Sequence, residues 1–466
     1  MFNIKASSKR TAYLLLFLIL LMSLLLRVYR LSERVIFAAD QEFAATFAYE
    51  VLKIFPIRLI GQGLSVQSLF MGPLYFYFLV PFFALSNLHP IGGYLGSITL
   101  GLVTIIAYFF IIKSIFGTST GLIAAFFRAI LFSAIKTDLL MTPAFSSELA
   151  VLFTWFCFYK YWQKNDMYLL PIGFLFGLYT SFHPILFPFY FVFLVLTILQ
   201  KRIPRKKYII LSLTCFLLPL APLLLFEYFH KFLEVKALFI LKNAGSSEVK
   251  TLNTLLDYIK IIFTYPTTLL NIRTPDLLII VLSSLFYIFS SIPIMKRIGF
   301  WKNSFHRTIV IATILIFLLY YFIIPVHVSE YYFIGVFTII FIYTIGNISI
   351  LLKERKLLLL SAVLVIVTIV SFIDLYKSWN SSFRDSLKDK ETVITTIARL
   401  QPDNNMKFYY DTDFGQHFGL GYLARYYHVE GKGGLGAPEY IIVIPASRRA
   451  HEITFSSGSV GLVVKR

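Results

Sequence analysis

The sequence predicts an α-helical polytopic membrane protein of about 11 transmembrane helices with a large first outer loop, plus a small C-terminal extracytoplasmic α/β domain. Three observations carry this expectation. The 466 residues are 58% hydrophobic and only 14% charged, and apolar runs long enough to span a bilayer recur along most of the chain. Lysines and arginines sit in short clusters between those runs rather than on one continuous face. Beyond residue 377 the pattern changes to short helical and strand-like segments separated by Gly-rich turns such as "EGKGGLG". A membrane domain over 1–376 and an extracytoplasmic domain over 377–466 follow.

The net charge of +19 would suit a nucleic-acid partner, but the distribution of basic residues excludes one. Clusters between apolar runs are the signature of cytoplasmic loops under the positive-inside rule. Cys157 and Cys215 both fall inside predicted spans and make no disulfide framework. The opening "KRTAYLLLFLILLMSLLLRVYR" has the basic start and apolar core of a signal peptide. No small-x-small cleavage site follows closely, so it reads as an uncleaved first helix.

Taken in order, spans are expected near 12–28, 91–112, 118–135, 148–162, 168–181, 184–199, 208–226, 277–294, 308–325, 332–352 and 357–375. The fifth and sixth are short and join at "SFHP", as a tilted or incomplete pair would. The stretch "MGPLYFYFLVPFFALSN", within the segment beginning at residue 70, is apolar enough to span, but Pro73 and Pro81 interrupt it and aromatics crowd it. Omitting it puts "KASSKR", Lys113, "KYWQK", "KRIPRKK", "KRIGFWKNSFHR" and "KERK" all on the cytoplasmic side. Counting it would export the two most basic loops. It is therefore expected to lie in the outer interface, where Tyr and Phe are at home.

This assignment places the N-terminus and the loop at 201–207 in the cytoplasm, and the loop at 243–250 and the tail outside. The outer face then collects Asp40, Glu42, Asp138, Glu148, His183, Glu227, His230, His327 and Glu330. Acids and histidines from separate stretches converge on one side of the membrane, as a site would require. The tail is expected to form a helix at "DKETVITTIARL" and strands at "KFYYDTD" and "EYIIVIP".

The order of these segments resembles a family. A first span, then an outer loop with the acids of "ADQE" ahead of an amphipathic helix, then an aromatic "GPLYFY", is similar to the GT-C superfamily of membrane glycosyltransferases. The likeness is to the group holding aminoarabinose transferases and protein O-mannosyltransferases. It continues through "FFIIKSIFG", "GLIAAFFRAILFSA", "GLYTSFHP", "LFEYFHKF" and "SEYYF", over roughly the first 350 residues. Two departures stand out. Gln41 separates the acids where many relatives have adjacent Asp-Glu, and Met71-Gly72 replaces the basic residue that usually precedes Pro-Leu.

The resemblance implies transfer of a sugar from a polyprenyl-phosphate-linked donor to a lipid, glycan or protein acceptor on the outer face of the cytoplasmic membrane. In it the stretch matching "ADQE" supplies the catalytic acid, so Asp40 and Glu42 are the candidate catalytic residues. A carboxylate must take the acceptor's proton, and fixed cations or donors should face the departing phosphate. Arg58, Lys136, Lys231 and Arg273 are candidate phosphate partners, and headgroup attraction is the ordinary alternative for each. Asp138, His183, Glu227, His230 and Glu330 complete the candidate substrate-binding residues; as interface residues or helix-end charges they would need no such role.

Asp40 also has a purely structural reading as N-cap of the following helix, whose Phe43, Phe47, Val51 and Ile54 give one apolar face. No capping box supports it, since Phe43 stands three residues on. Glu42 could equally be a solvated helix-surface acid. No fixed-spacing metal motif appears, so a divalent ion is neither required nor excluded and no cofactor is assigned. Two other classes fit the composition: a transporter or flippase of lipid-linked saccharides, and a non-catalytic envelope-assembly protein whose tail binds glycan. Transporters place ionisable groups at mid-membrane and duplicate their halves. Here the acids gather at helix ends, with Arg128 the main buried exception.

Overall fold

The fold is described from a computed structural model over residues 9–55, 57–64, 66–243, 251–269, 304–324, 328–353, 357–380, 385–429, 431–434 and 436–465. The expected span at 277–294, the outer loop at 244–250, Arg273 and His327 lie outside these residues.

The membrane portion begins with α1 (Lys9–Val28), a Leu-rich helix of 20 residues, and the short α2 (Leu31–Arg34). The first loop follows. It holds the amphipathic α3 (Ala39–Lys53) and the aromatic α4 (Leu74–Leu85). At 1.5 Å per residue the 12 residues of α4 measure about 18 Å, short of a hydrocarbon core of about 30 Å. Its Tyr75, Phe76, Leu79 and Phe83 are buried, and Phe76 meets Phe43 and Phe47 of α3 at ring-centroid distances of 5.0 and 5.4 Å.

Next come α5 (Ile91–Phe116), α6 (Thr118–Ile130) and α7 (Phe132–Asp138). The sequence led us to expect one span at 118–135. Instead α6 and α7 are bent by 66° at Leu131. No Pro or Gly marks the break, and the charge pairing described below spans it. The short helices α8 (Glu148–Trp162), α9 (Leu169–Phe182) and α10 (Pro188–Gln200) lead to α11 (Lys206–Phe229). The "GFLFG" of α9 lets it lie directly on α11. A Cβ at Gly173 or Gly177 would fall 2.2 or 2.1 Å from the carbonyl oxygens of Ser212 and Phe216. This is the small-xxx-small contact common between membrane helices.

The series ends with α12 (Leu233–Asn243), α13 (Leu252–Leu269), α14 (Ser304–Ile323), α15 (Ile334–Lys353) and α16 (Leu357–Asn380). Among the described residues, five helices are long and apolar enough to cross a membrane, or six if α6 and α7 form one bent span. The other expected spans that fall on described residues are present as helices and are mostly shorter. Both α12 and α13 were missed by the sequence reading.

The tail folds as expected in its first half. Ser386 caps α17 (Leu387–Leu400), its Oγ accepting from Asp389 N at 3.2 Å. Strands β1 (Lys407–Thr412) and β2 (Glu439–Ile444) are parallel, joined through α18 (Leu420–Tyr426). Two unexpected strands, β3 (Phe455–Ser457) and β4 (Val460–Lys465), complete a four-stranded sheet of order β1-β2-β4-β3, with antiparallel pairing beyond β2. Val393, Ile394 and Ile397 of α17 are buried with Leu423 of α18 and Ile442, Val460 and Leu462 of the sheet.

The tail is docked on the first loop, between α1 and α5. Leu387 N donates to Val35 O at 3.0 Å, and Lys388 Nζ reaches Glu33 at 2.9 Å. Tyr422 Oη donates to Leu88 O at 2.6 Å. His89 Nε2 lies 2.8 Å from Glu391 Oε1.

Candidate active site

Asp40 lies in the first turn of α3, but it does not cap the helix. The N-cap is Ala38, whose carbonyl accepts from Glu42 N at 2.8 Å. The free N–H of Ala38 goes to Gln41 Oε1 at 3.1 Å, and Gln41 Nε2 donates to Leu140 O at 2.6 Å. The N-cap alternative for Asp40 is thereby corrected: buried Gln41 performs the local helix-start work. This also accounts for the amide that interrupts the acidic pair.

The half-buried Asp40 accepts one hydrogen bond, from Gln62 Nε2 to Oδ1 at 2.6 Å. Gln62 sits in a turn closed by Met71 N to Gln62 O (2.8 Å), and Gly72 N then donates to Thr180 O of α9 at 2.9 Å. Met71-Gly72 thus packs against α9: Met71 is buried, and Gly72 presents no side chain. Around Asp40 stand Tyr75 and Tyr331. Burial pushes the Tyr75 phenol up to about 12, although it accepts from Ser146 and pairs with Ser97; the Asp40 charge adds to the rise. The Tyr331 phenol is likewise raised, by burial first, then by Tyr332 and by Asp40.

His183, at the break between α9 and α10, meets Tyr331 and Tyr332 edge-on, both at 6.0 Å. Burial lowers its imidazole to about 4, so it is neutral at physiological pH. Its Nδ1 accepts from Ile185 N at 3.2 Å, which leaves the proton on Nε2. Asp40 and His183 therefore both neighbour Tyr331, from stretches more than a hundred residues apart. Glu330, beside Tyr331, is exposed.

The remaining candidates divide into separate groups. Glu42 turns to the C-terminal domain, where Oε2 accepts from Gly419 N at 2.9 Å and Oε1 from Tyr422 N at 2.8 Å. Arg58 is paired with Glu50 and lies over the rings of Phe43 and Phe47 at 5.6 and 5.0 Å. Lys136 is exposed, without an ion pair among the described residues. Glu227 accepts from Glu234 N (3.0 Å) and Val235 N (3.3 Å), starting α12. His230 stacks on Phe226 at 4.0 Å, and Phe226 in turn meets Phe70 of the first loop at 5.5 Å. Lys231 is exposed.

Asp138 belongs to a buried network that the sequence reading did not assemble. Its Oδ2 accepts from Arg27 Nε at 2.8 Å and from Arg128 Nη1 at 3.0 Å, and its Oδ1 from Arg128 Nη2 at 2.7 Å. Arg128 Nε continues to Glu148 Oε2 at 2.8 Å, and Tyr108 Oη donates to Glu148 Oε1 at 2.9 Å. Two guanidinium and two carboxylate groups balance. A Cβ at Gly101 would fall 2.4 Å from the Asp138 carboxyl, so glycine gives the network its room. The signal for Arg27 was present in the sequence as an arginine closing an apolar helix. No group of three or more His, Cys, Asp or Glu side chains that could hold a metal comes together among the described residues.

Residues 71–226 match the family described as dolichyl-phosphate-mannose-protein mannosyltransferase. No curated protein matches the chain. Among solved structures, it is similar to ArnT from Cupriavidus metallidurans bound to undecaprenyl phosphate, with a TM-score of 0.58 at 10% identity, covering 98% of this chain and 98% of that one. The oligosaccharyltransferase of Archaeoglobus fulgidus in its apo form gives 0.54 at 12% identity, over 90% of this chain and 64% of that one. AglB from the same organism, in complex with an inhibitory peptide and a dolichol-phosphate, gives 0.51 at 12%, over 94% and 70%. At such identities the structural likeness is one of fold. The resemblance to GT-C membrane glycosyltransferases, first read from an order of short motifs, therefore holds both in a family match across the middle of the membrane portion and in the fold of nearly the whole chain.

Proposed function

We propose that the chain is an integral membrane glycosyltransferase that moves a sugar from a polyprenyl-phosphate-linked donor to an acceptor at the outer face of the cytoplasmic membrane, with Asp40 as general base. One observation carries the reading. Of the four acids in the first loop, Glu33 and Glu50 are ion-paired and Glu42 accepts two backbone N–H groups. Among the described residues, Asp40 alone of the four has neither an ion pair nor a backbone N–H on its carboxylate; its one hydrogen bond, from Gln62, leaves Oδ2 without a partner. The undecaprenyl phosphate of the ArnT structure and the dolichol-phosphate of AglB support a polyprenyl carrier.

In this reading an acceptor hydroxyl or amine attacks the anomeric carbon and its proton passes to Asp40 Oδ2. The bond from the anomeric carbon to the phosphate oxygen breaks, and its electron pair leaves with the phosphate. Gln62 fixes the carboxylate so that the free oxygen faces the acceptor. The neutral His183, with its proton on Nε2, and the phenol of Tyr331, whose pKa responds to the Asp40 charge, are uncharged donors suited to sugar or phosphate oxygens. Lys136, unpaired on the stretch whose Leu140 carbonyl holds Gln41, is the cation best placed to meet the phosphate. Asp138 contributes through Arg27 and Arg128, Glu227 and His230 through the Phe226–Phe70 contact, and Glu330 through its place beside Tyr331. Arg58 acts on the loop from its stack over Phe43 and Phe47.

The test is Asp40→Asn in purified protein, assayed in membranes of deletion cells supplied with donor lipid extracted from parental cells. Since Asp40 is no cap, the stability cost is limited to a lost charge near a helix N-terminus, about 0.3–1 kcal/mol. Transfer should fall about 10²–10⁴-fold while undecaprenyl phosphate still binds. Near-parental turnover would remove Asp40 from the role.

A further inference from the structure

We infer that the C-terminal domain sets the position of Asp40, with Glu42 and Lys390 as its positioning residues; the inference rests on Asp40 being the base. Asp40 is bracketed. Phe37 precedes it by three residues and Glu42 follows by two, and each is held by the tail domain.

On the Phe37 side the agent is Lys390 of α17, whose side chain has 0% exposure. Its Nζ donates to Phe37 O at 2.9 Å, and to Gln416 O and Phe418 O at 3.2 and 2.9 Å, with Asp385 Oδ2 at 3.6 Å. A buried ammonium is tolerated only when its three donors are matched. Here two acceptors belong to the tail and the third to the first loop, so the lysine is satisfied only when the two are joined.

On the other side, Glu42 accepts the N–H groups of Gly419 and Tyr422. Gly419 has φ 88°, and a Cβ there would fall 2.2 Å from Phe37 O. The same glycine therefore touches both brackets of Asp40, and no larger residue fits. Phe37 is itself fully buried and meets the Tyr422 ring edge-on at 5.9 Å.

The membrane portion fixes this turn at fewer points. Gln41 reaches Leu140 O, and Tyr94 Oη donates to Ile36 O. Loss of the tail contacts leaves residues 37–42 free to shift, and a displacement of about 1 Å at a reacting group can cost about 10²-fold in rate. The donor's carrier and phosphate are not held by these residues. The effect should therefore fall on kcat rather than on donor KM.

The experiment compares E42A, E42Q, K390M and D40N/E42A in the full chain, using the parental donor-lipid extract as substrate and hydrogen exchange as an independent readout. E42A and K390M should lower kcat about 10–100-fold, with the apparent KM from dilution of the extract within about twofold of the parent. Amide exchange should rise at 37–42 and 419–422. E42Q keeps an oxygen that accepts one of the two N–H groups and should stay within about fivefold of the parent. In the D40N background E42A should cause no further loss, because it acts through Asp40. Parental rates in E42A and K390M would overturn the inference, as would E42Q being as damaging as E42A with exchange unchanged. Should E42A not fold, Y422F, which removes only the bond to Leu88 O, should lose a few-fold in kcat; parental kcat in Y422F would then overturn it. An active D40N sinks the base assignment itself, whereas an inactive D40N beside fully active E42A and K390M sinks only the positioning role.

Discussion

Arg128 and Asp138 stand ten residues apart and meet through two parallel N–H···O bonds of 2.7 and 3.0 Å, across the bend at Leu131. The bend is the geometric condition of the pair. A straight helix would carry the two groups about 15 Å apart along its axis, whereas a 66° turn folds α7 back so that its last residue reaches the last turn of α6. Asp138→Ala should leave Arg27 and Arg128 buried with one carboxylate between them and cost about 3–5 kcal/mol. Lys136→Ala, two residues away and exposed, should change stability by less than about 0.5 kcal/mol. Thermal unfolding in detergent, with no substrate added, compares them directly.

Gln62→Ala removes the one hydrogen bond that orients the Asp40 carboxylate. Gln62 is half-buried, so folding should be affected by about 1–2 kcal/mol. Transfer should nevertheless drop about 10–100-fold, because the carboxylate becomes free to rotate away from the acceptor. Parallel measurement of melting temperature and kcat separates the two effects. A proportional loss of both would assign Gln62 to folding instead.

Glu234 supplies a pH dependence. Burial first, and the neighbouring Glu227 charge second, raise its carboxyl from an ordinary 4.5 to about 7, and its Oε1 is buried without a hydrogen-bond partner. Because the folded pKa is raised, the folded chain holds a proton that the unfolded chain releases near 4.5. The contribution is present below that pH and is lost as pH rises through 7. Glu234→Gln should therefore flatten the fall in melting temperature between pH 5 and 8, and the variant should exceed the parent at pH 8. Equal slopes in both proteins would show that another group is responsible.

Sidedness follows from the basic loops. With Cys157 and Cys215 replaced, a cysteine at the exposed His451 should react with an impermeant thiol reagent in intact cells. One at Lys201, in the "KRIPRKK" loop, should react only after permeabilisation. The reverse pattern would restore residues 70–86 as a crossing segment and turn the molecule over.

The parts legible in the sequence were those with a local cause. Apolar length marked α1, α5 and α11, and strand-like runs set off by Gly-rich turns marked β1 and β2. Strand β3 has three residues and too little pattern to register. The acids of the first loop were visible as chemistry, but their separate duties were not. Glu42 finds its partners 377 and 380 residues away, a separation that no window can contain. Arg58 reads in the sequence as a phosphate ligand because nothing local marks Glu50, eight residues earlier, as its partner, and Phe43 and Phe47 register only as the apolar face of the helix. Aspartate suits a cap position, which is why Asp40 reads as one, but the structure places the N-cap two residues earlier, at Ala38, closed by the Gln41 side chain.

Arg27 has a consequence for biogenesis. Its carboxylate partner, Asp138, is 111 residues further along the chain. At synthesis rates of about 5–20 residues per second, the first helix waits on the order of ten seconds before that partner exists. Over that interval the guanidinium must stay hydrated, with its side chain reaching toward the headgroups from near the end of α1. Insertion of the first helix and its final seating are therefore two events separated in time. The second cannot occur until α6 and α7 have emerged and folded against it.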